Sequence, residues 1–108
     1  MDEIQELEVN LIHYRQTLLR LELTIAELED QMIKEVEMEH KLEKGNPLLS
    51  NDKLRAIAVR ERLIMKEDYT EALTEKYSTS EAIQYGEARL RGLQREFIIK
   101  YCQNKMPI

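Results

Sequence analysis

Apolar residues return along the first third of the chain in alternating steps of three and four: Ile4, Leu7, Leu11, Tyr14, Leu18, Leu21, Ile25, Leu28 and Met32. That is the a and d spacing of a heptad repeat, and it predicts one long helix carrying a coiled-coil seam. A second series with the same spacing, Val9, Ile12, Gln16, Leu19, Leu23, Ala26, Asp30 and Ile33, occupies the b and f positions of that register. At ~100° per residue the two series centre roughly 150° apart. The predicted helix therefore has apolar faces on nearly opposite sides and needs two neighbours.

Gly45-Asn46-Pro47 interrupts the pattern. Lys41 and Lys44 suit the negative end of a helix dipole, Gly45 offers a left-handed cap, and Pro47 holds Asn46 extended. The first helix is accordingly expected over about 2–44 and a loop over about 45–51, with Leu48 and Leu49 as apolar plugs. Ser50 or Asn51 is expected to cap a second helix over about 52–105, with Asp52 in its first turn. In that second run Leu54, Ile57, Ala58, Leu63, Ile64, Met65, Tyr69, Ala72 and Leu73 recur at helical spacing. Its middle is weaker. A register carried back from Leu90, Leu93 and Phe97 places Lys76, Thr79 and Gly86 where core residues belong, and Ser78-Thr79-Ser80-Glu81 reads as a capping box. Two readings stand: one continuous helix with a pliable middle, or a break near residues 77–80. Ala82 and Gly86, four apart, form a small-residue face that lets another helix come close.

With a turn near residue 48, Ile4 falls opposite Gly92 and Leu28 opposite Asp68, and the second helix outruns the first. The overhang holds Phe97, Ile98, Ile99, Tyr101, Cys102, Met106 and Ile108, apolar on several sides, and is expected to dock on another subunit or a partner protein. The fold class is thus all-α, a single domain over 1–108 built as a long antiparallel helical hairpin. A two-helix hairpin cannot cover the second face of its own first helix, so the hairpin is expected to self-associate as a homodimer or higher bundle.

Charge sharpens the pairing. Residues 1–45 carry 12 acids and 5 bases, whereas residues 46–108 carry 9 acids and 11 bases, so the two runs attract each other more than their own copies. Three Gly, two Pro and no Trp fit an all-helical chain. One cysteine excludes an intrachain disulfide and fits a reducing compartment. No apolar stretch reaches the ~18 residues that a membrane span requires, and Met1-Asp2-Glu3 is acidic where a signal peptide is basic. The expectation is a cytoplasmic protein without a membrane partner.

Candidate chemistry is sparse. Glu37-Met38-Glu39-His40 sets a carboxylate and an imidazole on one helix face, half of what a di-metal bundle site requires; the chain holds no second such half, which a dimer supplies by symmetry only if Glu37 and His40 face its axis, and the pair reads more simply as solvated. His13 has no acid or nucleophile constellation, and Cys102 has no CxxC partner and reads as a packing residue or incidental thiol. The chain contains no GxGxxG, P-loop, GxSxG or HExxH pattern. No catalytic residue, metal or cofactor is expected, and the chain reads as a non-enzyme. Arg89, Arg91, Arg95 and Lys100, interleaved with Tyr85, Phe97 and Tyr101, give a nucleic-acid-binding alternative in which cations track phosphates and rings stack on bases. Against it, Arg89 and Arg95 face the acidic start of the first helix across the hairpin.

Asn51-Asp52-Lys53-Leu54-Arg55 opening a helix, then Asp68-Tyr69, then Ala88-Arg89-Leu90-Arg91-Gly92-Leu93-Gln94-Arg95-Glu96-Phe97 resemble small helical accessory proteins of bacteriophages and prophages found near recombination genes. The likeness covers residues 51–97. It implies an accessory role near DNA metabolism exercised through protein contacts, and it carries no catalytic residues. The sequence therefore points to a protein–protein interaction or scaffold module, with Ile12, Leu19, Leu23, Ile33, Phe97, Ile98 and Tyr101 as the expected interface.

Overall fold

A computed structural model describes residues 2–105, which are helical apart from their turns and contain no strand. Helix α1 spans Glu3–Leu42. Its start is a reciprocal cap, in which the Gln5 amide donates to the Asp2 carboxylate at 2.8 Å and the Asp2 amide donates to Oε1 of Gln5 at 3.3 Å. The helix stops at Leu42, two residues short of the expected end, and no described glycine has positive φ, so Gly45 does not form the left-handed cap. The turn is closed instead by the Asn46 amide on the Glu43 carbonyl at 3.1 Å. Asn46 is extended, as Pro47 requires, and its side chain accepts from the Leu48 amide to start a 3-10 turn over Pro47–Leu49. Of the two expected plugs only Leu49 is buried, while Leu48 faces solvent.

Helix α2 runs Asp52–Ile64, with Asn51 as its cap accepting from the Leu54 amide at 2.9 Å. Helix α3 runs Glu67–Lys105. The second run is therefore broken, but at Met65–Lys66. Residues 77–80 lie inside continuous helix, so the capping-box pattern there ends nothing. Met65 stays in right-handed helical conformation and the Lys66 amide reaches back to the Leu63 carbonyl at 3.0 Å, a tightened last turn. The break coincides with a slip of the inward stripe. Counting the α3 heptads backward places Met65 inward, yet Met65 is 85% exposed and Leu63 is 4% exposed.

The chain gathers into two compact units. One comprises residues 19–76, and the other the described residues up to 18 with those from 77 onward. In the first, Met32 and Val36 of α1 pack with Leu49 and Leu63, flanked by Ala58, Val59 and Tyr69. Val36 is completely buried although it lies outside the heptad series. It follows Ile25 by 11 residues, the spacing at which a straight α-helix returns to the same face. Contacts between Glu29 and Tyr69 and between Glu39 and Arg62 show α2 and early α3 running antiparallel to α1.

In the second unit Leu11, 2% exposed, lies over Gly86. A Cβ on Gly86 would sit 2.9 Å from Cδ2 of Leu11, whereas one on Gly92 would meet nothing within 4 Å. The small-residue face predicted at Ala82 and Gly86 is thus a close approach of helices. Arg89 and Glu3 join the same two elements. The fold is an all-α helical hairpin.

Candidate functional site

The face of α1 turned toward its neighbours is the a/d seam. Leu11, Ile25 and Met32 are buried, and Ile4, Leu7, Leu18, Leu21 and Leu28 are half-buried, while Tyr14 is 41% exposed. The b/f series lies uncovered: Ile12 is 52% exposed, Leu19 61%, Leu23 63% and Ile33 48%. Val9 and Ala26, in the same series, are also exposed. Isolated exposed leucines are ordinary on a protein surface, but a run at constant helical spacing forms a stripe. The end of α3 is similar, with Phe97, Ile98, Ile99 and Tyr101 each at least half exposed. Met106 and Ile108 lie outside the described residues.

Four of the six ion pairs among the described residues join separate elements of the hairpin. Arg62 donates to both carboxylate oxygens of Glu39, at 2.5 and 3.1 Å, and this hydrogen bonding holds the Glu39 carboxyl below the usual carboxylate range while raising Arg62. Arg55, with 15% of its side chain exposed, donates to the Leu49 carbonyl at 2.9 Å and to Glu37 at 3.2 Å, and also pairs with Asp52. It joins α2, the 3-10 turn and α1 at one point. Arg15 meets Glu87 at 3.2 Å. Tyr69 donates to Glu29 at 3.3 Å, and its hydroxyl is pushed up first by burial and then by the Glu29 charge.

The pair considered for a metal is drawn into this frame. Glu37 binds Arg55, and His40 is half-buried, not solvated, with its Nδ1 buried and without a hydrogen-bond partner among the described residues. No group of three or more metal-ligating side chains occurs among those residues. His13 is exposed, and Cys102 is an exposed free thiol.

The four cations of the nucleic-acid alternative divide. Arg89 donates to Glu3 at 2.9 Å, which raises its pKa first through that hydrogen bond, as the hairpin charge argument expects. Arg91, Arg95 and Lys100 make no ion pair among the described residues, so the expected contact of Arg95 with the acidic start of α1 does not form. Arg55 is the residue that sequence reasoning passed over. Its spacing marked it only as part of a polar helix opening, and nothing in sequence reveals a guanidinium aimed at a carbonyl six residues earlier.

No described helix is long and apolar enough to cross a membrane. Compared with known protein families, curated proteins and solved structures, the chain matches none of them.

Proposed function

We propose that this chain is a non-enzymatic protein–protein interaction module that associates with itself through the outer face of α1. The observation that carries the reading is the uncovered b/f stripe, with Ile12, Leu19, Leu23 and Ile33 each about half exposed or more on a helix whose other face is already packed. Phe97, Ile98 and Tyr101 at the end of α3 offer a further apolar surface of the same kind. The accessory role near DNA metabolism rests on the resemblance at residues 51–97 alone.

The test is Leu19→Glu with Leu23→Glu, followed by sedimentation equilibrium and far-ultraviolet circular dichroism. Burying the exposed remainder of each leucine is worth about 1 kcal/mol, so loss of four leucines from a symmetric contact removes about 4 kcal/mol, a roughly thousand-fold weakening. Both side chains lie outside the intrachain core, so helicity is retained while mass falls to that of the monomer. A parent chain that sediments as a monomer at micromolar concentration, or a variant with unchanged oligomeric mass, refutes the proposal.

The unpaired Arg91, Arg95 and Lys100 favour one second reading, direct binding of nucleic acid along late α3. Its mark is an affinity that falls steeply with salt. The net charge of −5 works against it.

A further inference from the structure

The uncovered stripe of α1 points to a particular occupant and a particular direction. We infer that a second copy of this chain lies antiparallel on it, with the two-fold axis crossing α1 between Leu19 and Leu23. This rests on the self-association proposed above and adds its direction and register.

The stripe is its own complement in that orientation. Antiparallel seams oppose an a-type position to a d-type position, and here the f positions serve as the first and the b positions as the second. An axis at residue 21 sets Leu19 against the second copy's Leu23, Val9 against its Ile33 and Gln16 against its Ala26. Asp30 then faces an isoleucine, Ile12 of the second copy, with Lys34 of its own helix 3.0 Å from its carboxylate. Every position of the stripe has an opposite number. Sliding the copies by a heptad in either direction leaves the outermost positions uncovered and moves the two leucines off the centre.

A parallel, in-register copy meets worse chemistry. It places Asp30 against Asp30 and Gln16 against Gln16 within the seam. Along its flanks it sets Arg15 beside Arg20 and Glu22 beside Glu27, like charges in both cases, leaving Glu29 with Lys34 and Glu8 with His13 as its attractions. The antiparallel copy reverses this balance. On the c-position flank, where Glu6, His13, Glu27 and Lys34 are all exposed, Glu6 falls beside the second copy's Lys34 and His13 beside its Glu27, each pair occurring twice by symmetry. Arg15, which already meets Glu87 within its chain, comes beside the second copy's Glu29. Arg20 and Glu22 each meet their own symmetry mates, one like-charge contact apiece at the axis. Exposed pairs contribute modestly to affinity, but like charges set side by side select strongly between orientations. The two apolar series of α1 lie roughly 150° apart, so the face that takes the second copy is not the face that packs within the chain.

Disulfide trapping tests the register. Gln16→Cys and Ala26→Cys are prepared as separate chains in a Cys102→Ser background, since Cys102 is an exposed thiol that would cross-link on its own. Each is incubated with oxidised glutathione alone and mixed with the other. In the antiparallel register like positions lie ten residues apart along the axis, ~15 Å, beyond the ~7 Å that a disulfide spans between Cα atoms. The expected result is a disulfide joining the two different chains in the mixture, identified by mass, with neither chain cross-linking alone. Cross-linking of Gln16→Cys with itself overturns the antiparallel assignment and leaves self-association through α1 standing. A dimeric Cys102→Ser parent that yields no disulfide in any mixture overturns this register. A monomeric parent overturns the reading on which the register rests.

Discussion

Two glycines of α3 provide an internal comparison for the close approach of the hairpin. Gly92 stands in open space, so Gly92→Ala carries only the helix-propensity gain, about 1 kcal/mol of added stability. Gly86→Ala carries the same gain but sets its methyl 2.9 Å from Cδ2 and 3.4 Å from Cγ of Leu11. Leu11 is 2% exposed and must turn off its rotamer or push α1 outward, at about 1–3 kcal/mol for overpacking. A small cleft lined by Leu7, Tyr14, Ala82 and Tyr85 beside it admits part of that movement. Gly86→Ala is therefore expected between neutral and about 2 kcal/mol destabilising, from the sum of the propensity and overpacking ranges. In a Leu11→Ala background, itself costing about 2–5 kcal/mol, the clash is gone and the same substitution stabilises. The measurement is urea unfolding of the double-mutant cycle by circular dichroism at one protein concentration. A Gly86→Ala midpoint raised as far as that of Gly92→Ala, with no coupling to Leu11, refutes the close approach.

Arg55→Met tests the junction of α2, the 3-10 turn and α1. The charge-assisted bond to the part-buried Leu49 carbonyl sets the cost at about 2 kcal/mol, whereas Glu37→Gln, removing only the half-exposed partner, is expected to cost less than about 1 kcal/mol in the same unfolding assay. The Glu39–Arg62 pair predicts an acid response. The Glu39 carboxyl is depressed in the folded chain, so its contribution is present above the ordinary carboxylate value and lost as pH falls through the folded value. Glu39→Gln is thus less stable than the parent near neutrality and converges with it in acid. A gap that persists unchanged in acid contradicts the assignment.

The first helix was legible because its a/d series is unbroken and its inward face is decided by apolar spacing alone. The second run was less so. Leu63, Ile64 and Met65 are consecutive and apolar, which leaves spacing unable to say which of them turns inward, and neither Gly nor Pro marks the break that follows. Hydroxyls at residues 78–80 carried a capping pattern that tertiary packing overrode, since a helix anchored at Tyr69 and Ala72 on one side and at Leu90 and Leu93 on the other continues through them. The outer face of α1 was legible as a periodicity, and the structure shows that the chain's own α2 and α3 do not cover its leucines and isoleucines. Arg55 was not legible, because its role depends on where the 3-10 turn presents the Leu49 carbonyl.

The composition of the inner face of α3 bears on the proposed role of the outer face of α1. Ala72, Lys76, Thr79 and Gly86 lie along that face with Ile83 as the one larger apolar side chain among them, and the small or polar side chains bury little apolar surface however closely the helices approach. The buried apolar side chains among the described residues are correspondingly few: Leu11, Ile25, Met32, Val36, Leu49, Leu63 and Ala72. Hydrophobic stabilisation scales with the area removed from water, so the second copy that we propose on α1 would add a share of core that the hairpin alone lacks. On that proposal association couples to folding, and the unfolding midpoint is expected to rise with protein concentration. Leu19→Glu with Leu23→Glu abolishes that dependence and lowers the midpoint toward that of the isolated hairpin. A parent chain whose midpoint is the same at every concentration separates the weak inner face from any need for a partner.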